Sequence, residues 1–488
     1  MEDIYRDRNS YNIKTLNIET MRKGYDRKRS KRYIYMTVFV ASIGGFLFGF
    51  DLVVIAGALP FIEQAFHLTP AMKGFAVSSA ILGSMSGPLI GLWFTERVGR
   101  RMTMMLAAVF FAFSTIGTSI AGTIMTFALW RFMGGVGIGL AMMSSPIYIA
   151  ELSPPNMRGV LVNINQLSNV IGINLAVMVS YVFSSKGWGW QWMFASQAVP
   201  VILLFIGLLL IPESPRWLAS KNRALEAFEI LSTINGDEVA KKEIGEIKSE
   251  LSLETGGIRE LLQSGVKRAL FIGVVLMIFS QINGVNMMLL YAPTILADAG
   301  IKFGSLSILS SIPIYLLILV TTIISFRLIK RFSRRGLLIT SVLCMAAGHL
   351  LMAINLFNNW NPLFTIIPML IGAGSFTLGF APLSWVIVSE IFPNKVRSIA
   401  FAVVCFFLYA ASFVTAQIFP IVTEWFDKKF HNAGGVYLIF AGVCLLCALF
   451  SWKMVPETKG LSLERISSFW QDRQKERKFS IKSKGTIV

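Results

Sequence analysis

The chain has 488 residues, of which 54% are hydrophobic and only 15% charged, and its mean hydropathy is +0.63; together these exclude a soluble multidomain protein. A net charge of +18 invites a nucleic-acid reading, but the basic residues fall in loops between apolar runs, which reports membrane topology and removes nucleic acid as a leading partner. The four cysteines and three histidines show no metal-like grouping, and no nucleophile–base pair stands out, so neither a metal site nor an enzyme is expected.

In chain order, a polar segment (1–32) precedes apolar runs at 33–56, 74–94, 103–123, 124–149, 159–184, 190–211, 267–291, 305–327, 336–356, 362–389, 398–424 and 433–453. Each is near the ~20 residues that carry a helix across a ~30 Å hydrocarbon core. These runs predict an all-α polytopic membrane protein of twelve transmembrane helices. The residues before the first run are polar and the run is long enough to stay as a helix, so no cleavable signal peptide is expected. Between helices six and seven lies the longest hydrophilic stretch, 212–266. There Val239, Ile244, Ile247 and Leu251 recur near helical spacing and Asn235-Gly236 reads as a break, which predicts short amphipathic helices under the bundle. Cys444 and Cys447 form C-x-x-C on an apolar helix, where packing is the expected role. The first ~30 residues and the end from about 470 read as disordered.

Of the 45 Lys and Arg, Arg131 lies inside a helix, and Lys73, Lys186, Lys302, Lys428 and Lys429 follow odd-numbered helices. All the others lie in the tails or in loops after even-numbered helices. That asymmetry places both termini in the cytoplasm and presents basic surface to the lipid bilayer.

Four motifs recur in the same order, 234 to 244 positions apart. ERVGRR (96–101) returns as KRFSRR (330–335), and ELSPPNMRG (151–159) as EIFPNKVRS (390–398). PESPRW (212–217) returns as PETKG (456–460), and GFD (49–51) as GVN (284–286). A duplicated six-helix unit follows: bundles at 33–211 and 267–453, joined by 212–266 and flanked by tails 1–32 and 454–488. Transporters built from such repeats hold their solute near the midplane between the halves.

Within GGFLFGFDLVVIAGALP (44–60), Asp51 is the one charge. An acid at mid-helix costs about 2.5–3.5 kcal/mol on insertion scales, so it is expected to line a cavity and to have a partner. The other clearly intramembrane charge is Arg131, and the two are expected to pair. A carboxylate that alternates between a guanidinium neighbour and a bare low-dielectric surround changes its proton affinity and can carry a proton. The plainer alternative is a static ion pair tying helices one and four.

Taken together, GFLFGFD, G-x-x-x-E-R-x-G-R-R from Gly91, RFMGGVGIG from Arg131, E-x7-R-G at 151–159, Asn165-Gln166, PESPRW, Q-x-x-G-x-N at 281–286, W-x-x-x-x-E-I-F-P at 385–393 and PETKG resemble the sugar porter family of the major facilitator superfamily. That family includes bacterial proton–sugar symporters and animal glucose facilitators, and the match spans nearly the whole chain outside the tails. The resemblance implies two bundles rocking about a central site. A chain that works as a monomer is expected, and no cofactor beyond the proton as coupling ion. Proton-coupled members carry an acid at the position of Asp51, whereas the facilitators typically do not.

A sugar calls for uncharged donors and acceptors and for an apolar face against its ring. By motif match these are Gln166, Gln281, Asn286 and Trp385, with Phe48 from the first helix. Gln281 and Asn286, five apart, sit about 140° off one face of a straight helix. Both reach one ligand only if the helix breaks between them, which Gly284 permits. Four positions depart from the family pattern: Ser280 for a second Gln, Leu290 for a Tyr, Ile318 for an Asn and Ala381 for a Gly. A hexose, a pentose, a polyol or a less polar solute all remain open. Glu96, Arg97, Arg100, Glu151 and Arg158 mirror Arg331, Arg334, Glu390 and Arg397, and bridges among them are expected to close the cytoplasmic side. Lys330 and Ser333 make the second copy imperfect. Tyr291 is the candidate extracellular gate, and Pro60, Pro382 and Pro393 are expected breaks at helix ends. The expected function is proton-coupled symport of a sugar or sugar-like polyol across the plasma membrane, with a proton-independent facilitator as the alternative and a transporter-like sensor further off. The short loop after helix one and the lack of an N-x-[ST] sequon suit a bacterial inner membrane.

Overall fold

A computed structural model describes residues 27–459 except 155, 252–259, 262–263, 303, 359 and 394–395. The tails read as disordered lie outside the described residues, apart from residues 27–30, which are helical. Among the described residues, twelve helical spans are long and apolar enough to cross a membrane: Ser30–Phe66, Pro70–Arg97, Arg100–Ser119, Ile124–Leu152, Arg158–Ser185, Trp190–Leu210, Val266–Leu290, Ser305–Arg331, Arg334–Phe357, Pro362–Ile391, Ile399–Phe430 and Gly435–Met454. They are numbered here as spans one to twelve. All twelve expected runs coincide with a span, but most spans extend further, because a helix continues past the hydrocarbon core while its backbone hydrogen bonds are satisfied internally.

Prolines do not act as the sequence suggests. Pro60 lies inside the first span, which runs on unbroken to Phe66. Pro382 lies inside the tenth span, just after a π-helical turn at Phe376–Phe380, and Pro88 sits within a second such turn at Gly87–Gly91. A proline lacks the N–H that its helix needs, and a wider turn absorbs the mismatch without ending the helix. Of the three expected breaks, Pro393 alone follows a helix end, at Ile391.

The seventh span does break where expected. Its helix Ser264–Ile282 stops, Val285–Leu290 follows, and Ala292–Asp298 continues the segment. Gly284 has φ 87°, and a Cβ there would lie 2.3 Å from the Phe440 ring. The position therefore needs glycine for conformation and for space.

The apolar cores show where the halves meet. One core joins Val53, Leu59, Ile62, Val77 and Ile81 of the first half to Val285, Tyr291 and Phe419 of the second. These residues lie towards the end away from the basic loops. A separate core around Val38, Leu47, Ile138 and Leu204 belongs to the first half alone and sits towards the basic end. Short helices Pro215–Ser220, Ala224–Asn235 and Asp237–Leu251 pack through Leu218, Ala227, Leu231 and Ile244. Gly236, at φ 83°, makes the turn between the last two. Val239, expected on their apolar face, is instead exposed, because the helix begins at Asp237 and its buried stripe runs through Ala240 and Ile244. Ser30 Oγ donates to the Ile234 carbonyl at 2.5 Å, which docks these helices on the start of the first span.

Candidate functional site

Spans one and four bring Asp51 and Arg131 together. Arg131 Nη1 donates to Asp51 Oδ2 at 2.8 Å and to the Asp51 carbonyl at 2.9 Å. The Asp51 side chain is 1% exposed and that of Arg131 0%. Burial this deep is sustained only when charges are paired, and the guanidinium also lies 5.6 Å from the Phe194 ring centre on the sixth span, a cation–π distance. Asp51 Oδ1, Arg131 Nε and Arg131 Nη2 have no hydrogen-bond partner among the described residues. Gly134 lets the fourth span approach the third beside this pair: a Cβ there would strike Ser114 Oγ at 2.4 Å and stand 3.7 Å from Asp51 Oδ1.

The break in the seventh span brings Gln281 and Asn286 to one place, where Asn286 Nδ2 donates to Gln281 Oε1 at 2.9 Å. Ser280, one of the departures, supports this pair by accepting from Gln281 Nε2 at 3.0 Å. Gln166 is exposed although it lies inside the fifth span, and Trp385 and Phe48 are half-buried. Trp385 packs against Phe401 at 5.4 Å between ring centres. Leu290 and Ile318 are buried in the core, so these two departures fill the interior and present little surface to a ligand. Tyr291 is buried at the second interruption of the seventh span, its hydroxyl donating to the Ala416 carbonyl at 3.0 Å.

Several groups that hold this region were not evident in the sequence. Tyr315 donates to the Leu289 carbonyl at 2.6 Å, and Cys444 Sγ lies 3.7 Å from the Asn283 carbonyl, so both secure carbonyls near the breaks. Asn165 accepts from Ser145 Oγ at 2.9 Å between spans five and four. Tyr409 of span eleven meets Met142 of span four at 2.6 Å, across the halves. Repetition reveals none of these, because each partner lies on a distant segment.

At the basic end two bridges join an acid of one span to an arginine of another among the expected residues. Arg100 bonds Glu151 at 2.9 Å, and Arg334 bonds Glu390 at 2.8 Å. Each bridge stays within one half, so in this state it braces that half and does not tie the halves together. The seven-residue spacing does not produce a pair: Arg158 is exposed, and Arg397 donates to the Phe392 carbonyl at 3.2 Å. Glu96 and Arg97 are exposed; Arg97 covers the Trp93 ring at 4.6 Å, and the Glu96 carbonyl accepts from Trp217 Nε1 at 3.0 Å. The repeated glutamates after spans six and twelve have a clear task. Glu213 accepts from the backbone N–H groups of Arg100 and Arg101 at 2.9 and 3.1 Å, and Glu457 from those of Arg334 and Arg335, both at 3.1 Å. Each carboxylate thus caps the positive N-terminus of a span. Gly99, at φ 101°, has no room for a Cβ beside Glu213, whereas Ser333 has φ −67°, so the second copy has no need of the glycine.

The wider similarities run the full length of this architecture. The sugar (and other) transporter family matches residues 37–470. The D-xylose-proton symporter of Escherichia coli (strain K12) is 34% identical over 481 residues, covering 91% of this chain and 97% of that relative. The arabinose-proton symporter of Bacillus subtilis (strain 168) is 33% identical over 454 residues, covering 91% and 96%. Among solved structures, the inward open conformation of the xylose transporter XylE from E. coli matches with a TM-score of 0.79 at 33% identity, covering 90% of this chain and 100% of that one. Motifs, duplicated architecture and full-length matches agree: this is a multi-pass membrane protein of the major facilitator fold, and the chain belongs to the sugar transporter family.

Proposed function

We propose that the protein is a proton-coupled symporter that takes a small neutral sugar across the bacterial inner membrane by alternating access. Both termini and the basic loops face the cytoplasm in this reading, and the arrangement described above is the inward-facing one. The single observation that carries it is the fully buried Asp51–Arg131 pair in a chain whose relatives include sugar–proton symporters.

Asp51 Oδ1 is the free acceptor, and a proton taken there neutralises the carboxylate and weakens its hold on Arg131. Relative movement of spans one and four then follows protonation. A proton descending ~100 mV supplies ~2.3 kcal/mol, and each pH unit adds ~1.4 kcal/mol, enough to concentrate a neutral solute roughly a hundredfold or more. The sugar would lie against Gln166, Gln281, Asn286 and Trp385, with Phe48 on its apolar side. Gln281 and Asn286 satisfy one another while no sugar is bound and exchange that bond for sugar hydroxyls.

Proteoliposomes with a trapped pH dye, challenged with pentoses, hexoses and polyols, test this directly. Solute-dependent proton entry that Asp51→Asn abolishes establishes symport and names the solute. Uptake of labelled sugar with no proton movement makes the protein a facilitator and leaves Asp51 as a structural partner of Arg131.

A further inference from the structure

Asn283 fills one of the unspecified positions of Q-x-x-G-x-N at 281–286, directly before the break of the seventh span. A helix that ends inside a membrane leaves its last carbonyls without partners, and the next helix its first N–H groups. Asn283 Nδ2 donates to the Phe279 carbonyl at 3.0 Å and to the Ser280 carbonyl at 2.8 Å, and Asn283 Oδ1 accepts from the Val285 N–H at 2.9 Å. One short amide thus serves both helix ends. The residue is 1% exposed, so water does not compete for these bonds. Asp offers no donor when ionised and Ser a single hydroxyl, so neither can make all three.

These bonds close a ring across the break. Ser280 Oγ gives its one proton to the Met277 carbonyl at 2.7 Å, so towards Gln281 Nε2, at 3.0 Å, it can only accept. With Nε2 fixed there, Gln281 Oε1 is left to take Asn286 Nδ2 at 2.9 Å. Asn286 follows Val285 in the chain, and Val285 leads back through Asn283 to Ser280. The orientation of both amides is therefore set, and Asn286 Oδ1 is the acceptor the pair keeps for a sugar hydroxyl.

We propose that Asn283 is a positioning residue of the sugar site, holding the break of the seventh span so that Gln281 and Asn286 present fixed donors and a fixed acceptor to one solute. The inference rests on the sugar site proposed above. Asn283 is buried away from the solute and acts through Asn286. Without its side chain, Val285–Leu290 loses this side-chain tie to the helix before it, and Gly284, already left-handed at φ 87°, becomes a swivel between them. Asn286 then spreads over many orientations, and a bound sugar has to restrict them again. That cost falls on affinity.

Two readouts on full-length protein in lipid nanodiscs separate the ring from the site. Spin labels on Phe271→Cys and Asp298→Cys, exposed on either side of the break, report the angle across it with no sugar present, Cys344→Ser removing the exposed native thiol. Asn283→Leu, close in volume, should broaden that distance distribution, and Asn283→Ser, which keeps one hydroxyl, should broaden it less. Calorimetric titration with D-xylose, L-arabinose and D-galactose reads the site. For the tightest of these, Kd should rise about tenfold in Asn283→Leu, the scale of a lost cap, and by less in Asn283→Ser. In an Asn286→Ala background Asn283→Leu should add little, because the side chain it orients is gone, whereas in Gln166→Ala it should cost the full factor. A merely structural loss would be alike in both. An unchanged distribution in Asn283→Leu, wild-type affinity despite a broadened one, or equal losses in the two backgrounds overturns the proposal. Wild-type affinity in Asn286→Ala itself would overturn the sugar site, and the proposal with it, even where the distribution broadens.

Discussion

At the scale of single residues, Asp51 and Arg131 cannot be altered independently. Each is buried with the other as its charged partner, and removing one member of such a pair leaves an uncompensated charge that costs about 3–5 kcal/mol. Arg131→Met alone is therefore expected to lower the thermal unfolding midpoint sharply in detergent. The double variant Asp51→Asn/Arg131→Met should recover much of that stability, because both charges are gone. Accumulation of sugar against a gradient should nevertheless be absent from Asp51→Asn and from the double variant, while Asp51→Asn still exchanges labelled for unlabelled sugar. Accumulation by either variant would place the coupling proton elsewhere. The pair itself was legible in the sequence, since two charges in apolar helices have few other partners. Its surroundings were not: Phe194 beneath the guanidinium and Gly134 beside the carboxylate are ordinary helix residues until the spans are assembled.

Among the elements, the broken seventh span and the two glutamate caps carry distinct predictions. Gly284→Ala places a Cβ against Phe440 and also adopts a left-handed conformation that costs an L-residue about 1–2 kcal/mol. Sugar affinity is expected to fall by about tenfold, the factor that 1.4 kcal/mol represents, as Gln281 and Asn286 lose their shared position; Phe440→Leu should not restore it. Isothermal titration of the purified variants checks both statements, and wild-type affinity in Gly284→Ala would show that the break is not what joins the two side chains. Glu213→Ala and Glu457→Ala each strip a cap from a span, a loss of about 1–2 kcal/mol. Thermal unfolding should register a fall of a few degrees for either. The repeat revealed that these glutamates correspond, but not what they do, because a cap is recognised only when the helix end it serves is seen beside it. The same holds for the Glu-to-Arg spacing of seven: it marked Glu151 and Glu390 without naming their partners, the arginines at the starts of spans three and nine.

For the molecule as a whole, the decisive feature is the seam between the halves. Gly74 of the second span packs so closely on the eleventh that a Cβ would lie 2.4 Å from the Gln417 carbonyl oxygen. Gly74→Val is therefore expected to wedge this end open: the distance between spin labels on Ile120→Cys and Trp360→Cys, both exposed at this end, should lengthen, and transport should stop while sugar binding persists. Normal transport by that variant would mean that closure does not need this contact. Sequence alone determined the class, the twelve spans, the duplication, the family and the pairing of Asp51 with Arg131. Hydropathy and charge act over one helix length, and motifs keep their order along the chain, so both survive in one dimension. Only the tertiary structure decided which basic-end charges pair, that one apolar core unites the halves away from those charges, and that Asp298 and the Glu63–Lys73 pair share a cleft. The first outcome depends on how spans pack within each half and the other two on how the halves sit against each other, and small changes summed over many side chains set that packing without leaving a local pattern.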